Sequence, residues 1–158
     1  MRTSVDLHNF LQSREVPHEI SVVEIPAKTV SMAAATLGLD ESEIGKTLIV
    51  QADDKAVVVM IPGDRRLDTR KLKKITGASK IKLADAEELV SLTGYFLGSI
   101  PPLAHANEMP IYVDHRLLAV PLIYTCGGQN NAFLKIKPTD LIAAGNAQIV
   151  DIADDGRV

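Results

Sequence analysis

A lysine that opens an apolar run, a lone cysteine before two glycines and four scattered histidines are the residues of this chain whose types could do chemistry. Lys46 follows Gly45 and starts the run KTLIV. A lysine there can lay its stem along a sheet and send its ammonium to water. It can also hold a point charge at a pocket rim, where it would meet an anionic or carbonyl group. Spacing alone leaves both readings open. Cys126 precedes Gly127-Gly128. As a nucleophile it would need a lowered pKa and a nearby base; as a small buried apolar side chain it needs neither. His8, His18, His105 and His115 lack H-E-x-x-H spacing, and His115 beside Asp114 falls short of a ligand set. No metal and no cofactor is therefore expected. A single cysteine excludes an internal disulfide and a thiolate zinc site. The chain has no G-x-S-x-G elbow, Walker loop or G-x-G-x-x-G.

These residues must be positioned by short elements. Ser4 can cap a helix through Gln12, ended by Pro17, and His18–Glu24 reads as a strand. Ser31 opens a helix that Gly38 closes. Asp40 and Glu43 have capping-box spacing. Lys46–Ala52 and Ala56–Ile61 form a hairpin, and AVVVMI, apolar on both faces, belongs mid-sheet. Asp68 caps a basic helix that Gly77 stops, and Asp85–Leu92 is another helix. Residues 94–110 hold two glycines and three prolines, which makes an irregular loop of a length that is usually functional. Ile111–Asp114, Leu122–Cys126, Ala132–Ile136 and Ala147–Ile152 read as strands. Pro138 starts a last helix that Gly145 stops. The expectation is an α+β fold: a mixed, curved sheet of six or more strands surrounded by short helices. One domain over 1–158 is expected, with a tail loose after about residue 154.

Composition narrows the function. The chain has 158 residues, 46% hydrophobic and 23% charged, which excludes general disorder. The longest nearly apolar stretch, Leu117–Cys126, is far short of the roughly 20 residues a membrane span takes. The start, MRTSVDLHNF, has no apolar signal core, so a cytoplasmic location is expected. The formal charge of −3 is uneven: residues 65–82 carry eight basic residues and one acid, leaving −10 on the other 140. A protein that coats duplex phosphates is usually basic overall, so DNA is not expected as a partner. The basic stripe could still touch a few phosphates, or be an ordinary solvated helix face. Asp53, Asp54, Asp151, Asp154 and Asp155 read as ordinary turn and tail charges. With no tryptophan and six Phe and Tyr residues, a sheet that stacks RNA bases is not expected.

In order and spacing the features resemble the YbaK family, the aminoacyl-tRNA synthetase-associated editing domains, over about residues 3–152. The matching pieces are FLQSREVPHEISVVE; Thr29 with Ala33, Ala34, Leu37 and Gly38; and Lys46-Thr47-Leu48. Pro62-Gly63-Asp64-Arg65 with Leu67-Asp68, Thr93-Gly94-Tyr95 with Gly98 and Pro102, and Tyr112-Val113-Asp114 follow. Gly127-Gly128 and Pro138-Thr139-Asp140-Leu141 complete the series. The family loop commonly reads G-G-x-S/T-P-x-G. Here Ser99 and Ala104 stand at glycine positions and Pro101 at the hydroxyl position, in a P-P-x-x-H variant. Ser99 and Ala104 are expected to resist a positive φ.

The resemblance implies a trans-acting deacylase that hydrolyses the ester of a mischarged aminoacyl-tRNA, with no protein nucleophile, cofactor or metal. It also allows a catalytically inactive module that only binds tRNA or a synthetase. A third reading, an unrelated hydrolase built on Cys126 and His105, stands outside the resemblance. Under the first, the acceptor end of the tRNA is the partner, with an aminoacyl-tRNA synthetase as a second one. Lys46 would be catalytic. Thr29, Gly98, Ser99, Ile100, Pro101, Pro102, His105, Asp114, Gly127, Gly128 and Asn131 would surround the substrate. Arg65, Arg66, Arg70, Lys71 and Lys74 would hold the tRNA. Neither the amino acid nor the tRNA follows from the resemblance.

Overall fold

A computed structural model describes residues 1–156. Among these residues, eight strands form two sheets with five α-helices around them, an α+β architecture. The strands are β1 (Glu19–Val22), β2 (Gly45–Ala52), β3 (Lys55–Pro62), β4 (Ile81–Leu83), β5 (Ile111–Asp114), β6 (Ile123–Cys126), β7 (Ala132–Ile136) and β8 (Gln148–Val150). The helices are α1 (Ser4–Ser13), α2 (Val30–Leu37), α3 (Thr69–Thr76), α4 (Ala86–Thr93) and α5 (Pro138–Gly145). The smaller sheet runs β1-β7-β6, all antiparallel. The larger runs β4-β2-β3-β5-β8 and is mixed: β3, β5 and β8 are parallel, the rest antiparallel. The expected mixed sheet is thus present, with a second sheet beside it. None of the described helices is long and apolar enough to cross a membrane.

Strand β3 sits at the centre because both of its faces are apolar. Val57, Val59 and Ile61 pack with Leu72 of α3 and with Ile152 and Ala153. Met60, on the opposite face, joins Leu7 and Leu11 of α1, Val113, Ile123, Leu134 and Leu141 in a core shared by both sheets. Gly63, just after β3, must lack a side chain: a Cβ there would lie 2.6 Å from the Glu41 carbonyl oxygen and 2.5 Å from Val30 Cγ1.

Several local expectations shift. Thr3, not Ser4, caps α1, in a capping box with Asp6, and the Ser4 hydroxyl donates to Gln129 Oε1 at 2.5 Å. The helix ends at Ser13, ahead of Pro17. Thr29, not Ser31, caps α2: its Oγ1 accepts the Met32 N–H. Gly145 stays inside α5, and Asn146 takes the left-handed position at φ 48°. Strand β4 escapes the sequence pattern because IKL is a three-residue edge strand with a charged middle residue. A 3-10 turn at His115–Ala119 was also unexpected. The outer strands β1 and β8 are shorter than their sequence patterns.

The chain is bonded to the turn after β3 up to Asp154; of the tail expected to be loose beyond that, residues 157–158 lie outside the described residues. Ala153 bridges Leu67, Ile152 O accepts the Asp68 N–H at 2.8 Å, and Asp154 N–H donates to Arg66 O at 2.8 Å. The fully buried Asp114 carboxylate accepts from Ile152 N at 2.9 Å and Ala153 N at 2.8 Å, with Arg116 at 3.1 Å. Asp151 and Asp155 are not free turn and tail charges: Lys71 Nζ reaches them at 3.0 and 3.3 Å. Asp53 likewise has work to do, accepting from the N–H groups of Ser79 and Lys80 next to β4.

Burial pushes the Asp114 carboxyl up, but the N–H groups of Ala153, Ile152 and Arg116 and the Arg116 guanidinium outweigh it and hold the pKa below the ordinary value. Hydrogen bonds from Lys71 and then Arg116 lower Asp151 as well. A carboxylate whose folded pKa is depressed adds stability that is complete above its unfolded pKa, about 4, and is lost as pH falls through the folded value. Urea unfolding should therefore show stability falling below about pH 4, with a shallower fall in Asp114→Asn. Gly63→Ala should cost about 1–3 kcal/mol in the same measurement, because the Glu41 backbone cannot yield as a side chain would.

Candidate active site

The site begins at an edge of β2. Strand β4 pairs only with Val50–Ala52, so the first half of β2 has no strand on that side. Two contacts close the ends of the gap: Ile49 O accepts from Ala84 N at 3.0 Å, and Gly45 O accepts from Thr125 Oγ1 at 2.8 Å. Antiparallel strands alternate the direction of their backbone groups. Thr47, midway between Gly45 and Ile49, therefore turns its N–H and C=O toward the same open edge. Its side-chain hydroxyl is buried and is the one such oxygen without a partner among the described residues.

That edge opens into a cleft of about 770 Å³, walled by α2, by β6 and β7, and by the loop from Leu97 to Ile100. Among the described residues, Lys28 and Lys46 are the charged ones of its lining, which contains no carboxylate and no imidazole. Ala33, Ile44, Leu48, Ile49, Leu89 and Phe133 make it mostly apolar. The half-buried Lys46 donates from Nζ to Arg65 O at 2.9 Å. No carboxylate lies within 4.0 Å of that ammonium among the described residues. An ammonium has three N–H donors, so two remain for a ligand. Cys126 also lines the cleft, and its Sγ donates to Gly98 O at 3.4 Å. Burial pushes its thiol up to about 11, the reverse of an activated nucleophile.

The loop is held from behind. Tyr95 is fully buried, and its hydroxyl donates to Ala104 O at 3.0 Å, which Arg2 Nη1 also reaches at 3.0 Å. Desolvation raises the Tyr95 hydroxyl to about 12. Ala104 takes φ 66° despite its side chain, and these two bonds hold it there. Gly98 takes φ 80° in the loop wall. His105 meets Pro101 O from Nε2 at 2.7 Å. A carbonyl only accepts, so that nitrogen carries hydrogen, and burial lowers the ring's pKa toward the neutral form.

Thr29, Lys46, Gly98 and Ile100 line one cleft. Ser99 and the proline pair are buried just behind that wall. His105 lines a separate cleft of about 450 Å³ with Phe10, Arg14 and Asn146, so it forms no pair with Cys126. Asp114 lies away from both clefts, holding the chain end. Gly128 packs on the Thr3–Ser4 backbone, Gly127 N–H donates to Ala132 O, and Asn131 Nδ2 donates to Val23 O at 3.2 Å. Asn130, one residue earlier, faces the cleft instead. In the basic stripe Arg65 donates to Asp154 O and Lys71 is ion-paired, whereas Arg66, Arg70 and Lys74 are exposed. Sequence reasoning missed Lys28, Thr47, Asn130 and the apolar wall from α2. Thr47 carried a signal, as the middle residue of the strand start that Lys46 opens.

Comparison with known proteins then places the chain. The solved structure of a hypothetical protein, APE2540, superposes with a TM-score of 0.89 at 37% identity, over 94% of this chain and 99% of that one. A crystal structure described as a candidate trans-editing enzyme for prolyl tRNA synthetase superposes at 0.88 with 27% identity, over 96% of each chain. The proline–tRNA ligase of Shouchella clausii is 33% identical over 82% of this chain, which spans only 21% of the ligase. An Enterococcus faecalis protein, EbsC, named as a candidate Cys-tRNA(Pro)/Cys-tRNA(Cys) deacylase, is 28% identical over 75% of this chain and 73% of its own length. The model of the aminoacyl-tRNA editing domain matches residues 24–144, and the chain belongs to that family.

Proposed function

We propose that this protein hydrolyses the ester between an amino acid and the terminal ribose of a mischarged tRNA, acting in trans beside a synthetase. The observation that carries this reading is the shared cleft, which Lys46, Thr47, Gly98 and Ile100 line together without a nucleophile–base pair. Such a site suits a substrate that brings its own reacting groups. A water, helped by the free ribose hydroxyl, attacks the ester carbonyl. The oxyanion that forms takes hydrogen bonds from Thr47 N–H and an ammonium proton of Lys46. Collapse breaks the bond to the ribose oxygen, which leaves with a proton, giving free amino acid and tRNA. The chain's part is to position the ester and stabilise developing charge.

The apolar wall, to which Ile100 and Ala33 belong, reads side-chain size. Discrimination by such walls is worth about 1–3 kcal/mol per methylene. Arg66, Arg70 and Lys74 are available to acceptor-stem phosphates, while Arg65 and Lys71 are committed to the chain end. Support for the reading comes from the family and from the names of EbsC and of the candidate trans-editing enzyme, both of which the chain matches over most of their length.

Three outcomes test it. Purified protein incubated with a panel of mischarged tRNAs should release free amino acid, and Lys46→Ala should cut kcat/KM by about 100-fold or more, the scale of a lost oxyanion donor. Release unchanged by Lys46→Ala contradicts the lysine role, and release by neither protein favours the binding module. Replacing Arg66, Arg70 and Lys74 together with Gln should raise KM, leave kcat near wild type and flatten the salt dependence. Iodoacetamide should modify Cys126 slowly at pH 7 and faster toward pH 10, as the thiolate fraction grows; fast labelling at pH 7 would reopen a thiol mechanism.

A further inference from the structure

The Lys46 ammonium rests on one protein atom, the carbonyl oxygen of Arg65, and that atom belongs to a turn the end of the chain holds in place. The turn 63–67 follows β3; Gly63 N–H donates to Ile44 O at 2.8 Å and Arg65 N–H to Pro62 O at 3.0 Å. The second half of the turn is bonded to the C-terminal segment. Asp154 N–H donates to Arg66 O at 2.8 Å, Arg65 Nη1 donates to Asp154 O at 3.0 Å, and Leu67 bridges Ala153. The Arg65 guanidinium also lies over Gly156, where a Cβ would come within 2.8 Å of it. The segment is in turn fixed by the buried Asp114 carboxylate, through the N–H groups of Ile152 and Ala153.

We propose that Asp114 and the segment Ile152–Gly156 form a positioning device for Lys46, acting through the Arg65 carbonyl. The inference rests on the reading of Lys46 given above. Asp114 touches no substrate. It fixes two backbone N–H groups, these fix the turn, and the turn presents one carbonyl that aims the ammonium into the cleft. A flexible lysine otherwise samples many rotamers, and a catalytic charge displaced by 1 Å loses much of its effect. Placement is thus over-determined at the backbone while two ammonium protons stay free.

Two variants of the full chain test this: Asp114→Asn, which weakens the anchor, and Arg65→Met, which keeps the Arg65 carbonyl but removes the side chain's bond to Asp154 and its 4.0 Å ion pair with Asp64. Acetylation by an N-hydroxysuccinimide ester, read by mass spectrometry, gives the ratio of Lys46 to the exposed Lys55 modified. Both variants should raise that ratio about threefold or more and lower deacylation kcat by roughly tenfold, with KM within about twofold. If Asp114→Asn is unfolded by circular dichroism at the assay temperature, Arg65→Met carries the test. An unchanged ratio in the folded variants overturns the proposal, as does a raised ratio with wild-type kcat. A wild-type protein without deacylase activity overturns the proposed function instead, and the acetylation ratio still reports whether the turn holds the lysine.

Discussion

The open edge of β2 is the constraint from which the site follows. A strand edge inside a protein must either pair or be covered, since buried backbone groups without partners are costly. Here β4 withdraws after three pairs, and single contacts from Ala84 and Thr125 close the two ends of the gap. Between them the backbone of Thr47 faces a cleft large enough for a ligand. The other strands support that exception: β3 is sealed on both faces, and α1, α3 and α5 complete the cores beneath it. Lys46 is placed by the same strand, one residue from the open backbone group, so donor and charge share a rigid element.

Electrostatics then limits what the cleft can do. Two lysines and no acid line mostly apolar walls, so the site favours anionic or carbonyl groups. Its one thiol is held protonated by burial, and the histidine nearest in sequence to the loop braces Pro101 from the far side. In the proposed deacylation, with no general base among the lining residues, proton transfer falls to water and substrate. Such a reaction would depend on placement more than on reactive side chains, and the loop and Lys46 are both braced from behind.

Much of the fold was legible because its signals are local. The AVVVMI run, the Asp68 cap and the left-handed Gly38 and Gly77 act within a few residues, and the structure has each where the pattern put it, while Asp85, read as the first residue of its helix, is its cap. The order of motifs around Lys46 and Gly98 indicated which segments meet. What stayed hidden depends on pairs distant in sequence. Asp114 counts as a substrate residue only through the resemblance, and the return of residues 152–153 to its carboxylate is visible only in the fold. Asp151 and Asp155 look like tail charges until Lys71 and Arg116 are brought beside them. Asn130 and Asn131 differ by one position in a turn, and which of them faces the cleft is decided by the contact of Asn131 with Val23.

The most direct measurement is an NMR titration of the whole protein with an adenosine carrying an amino acid in stable amide linkage at the ribose 3′ position. The account predicts saturable shifts at Lys46 Nζ, at the amides of Thr47, Gly98 and Ile100 and at the methyl group of Ala33. It also predicts quiet signals in the second cleft at Phe10 and Asn146. Shifts confined to that second cleft, or a Lys46 signal unmoved at saturation, would contradict it.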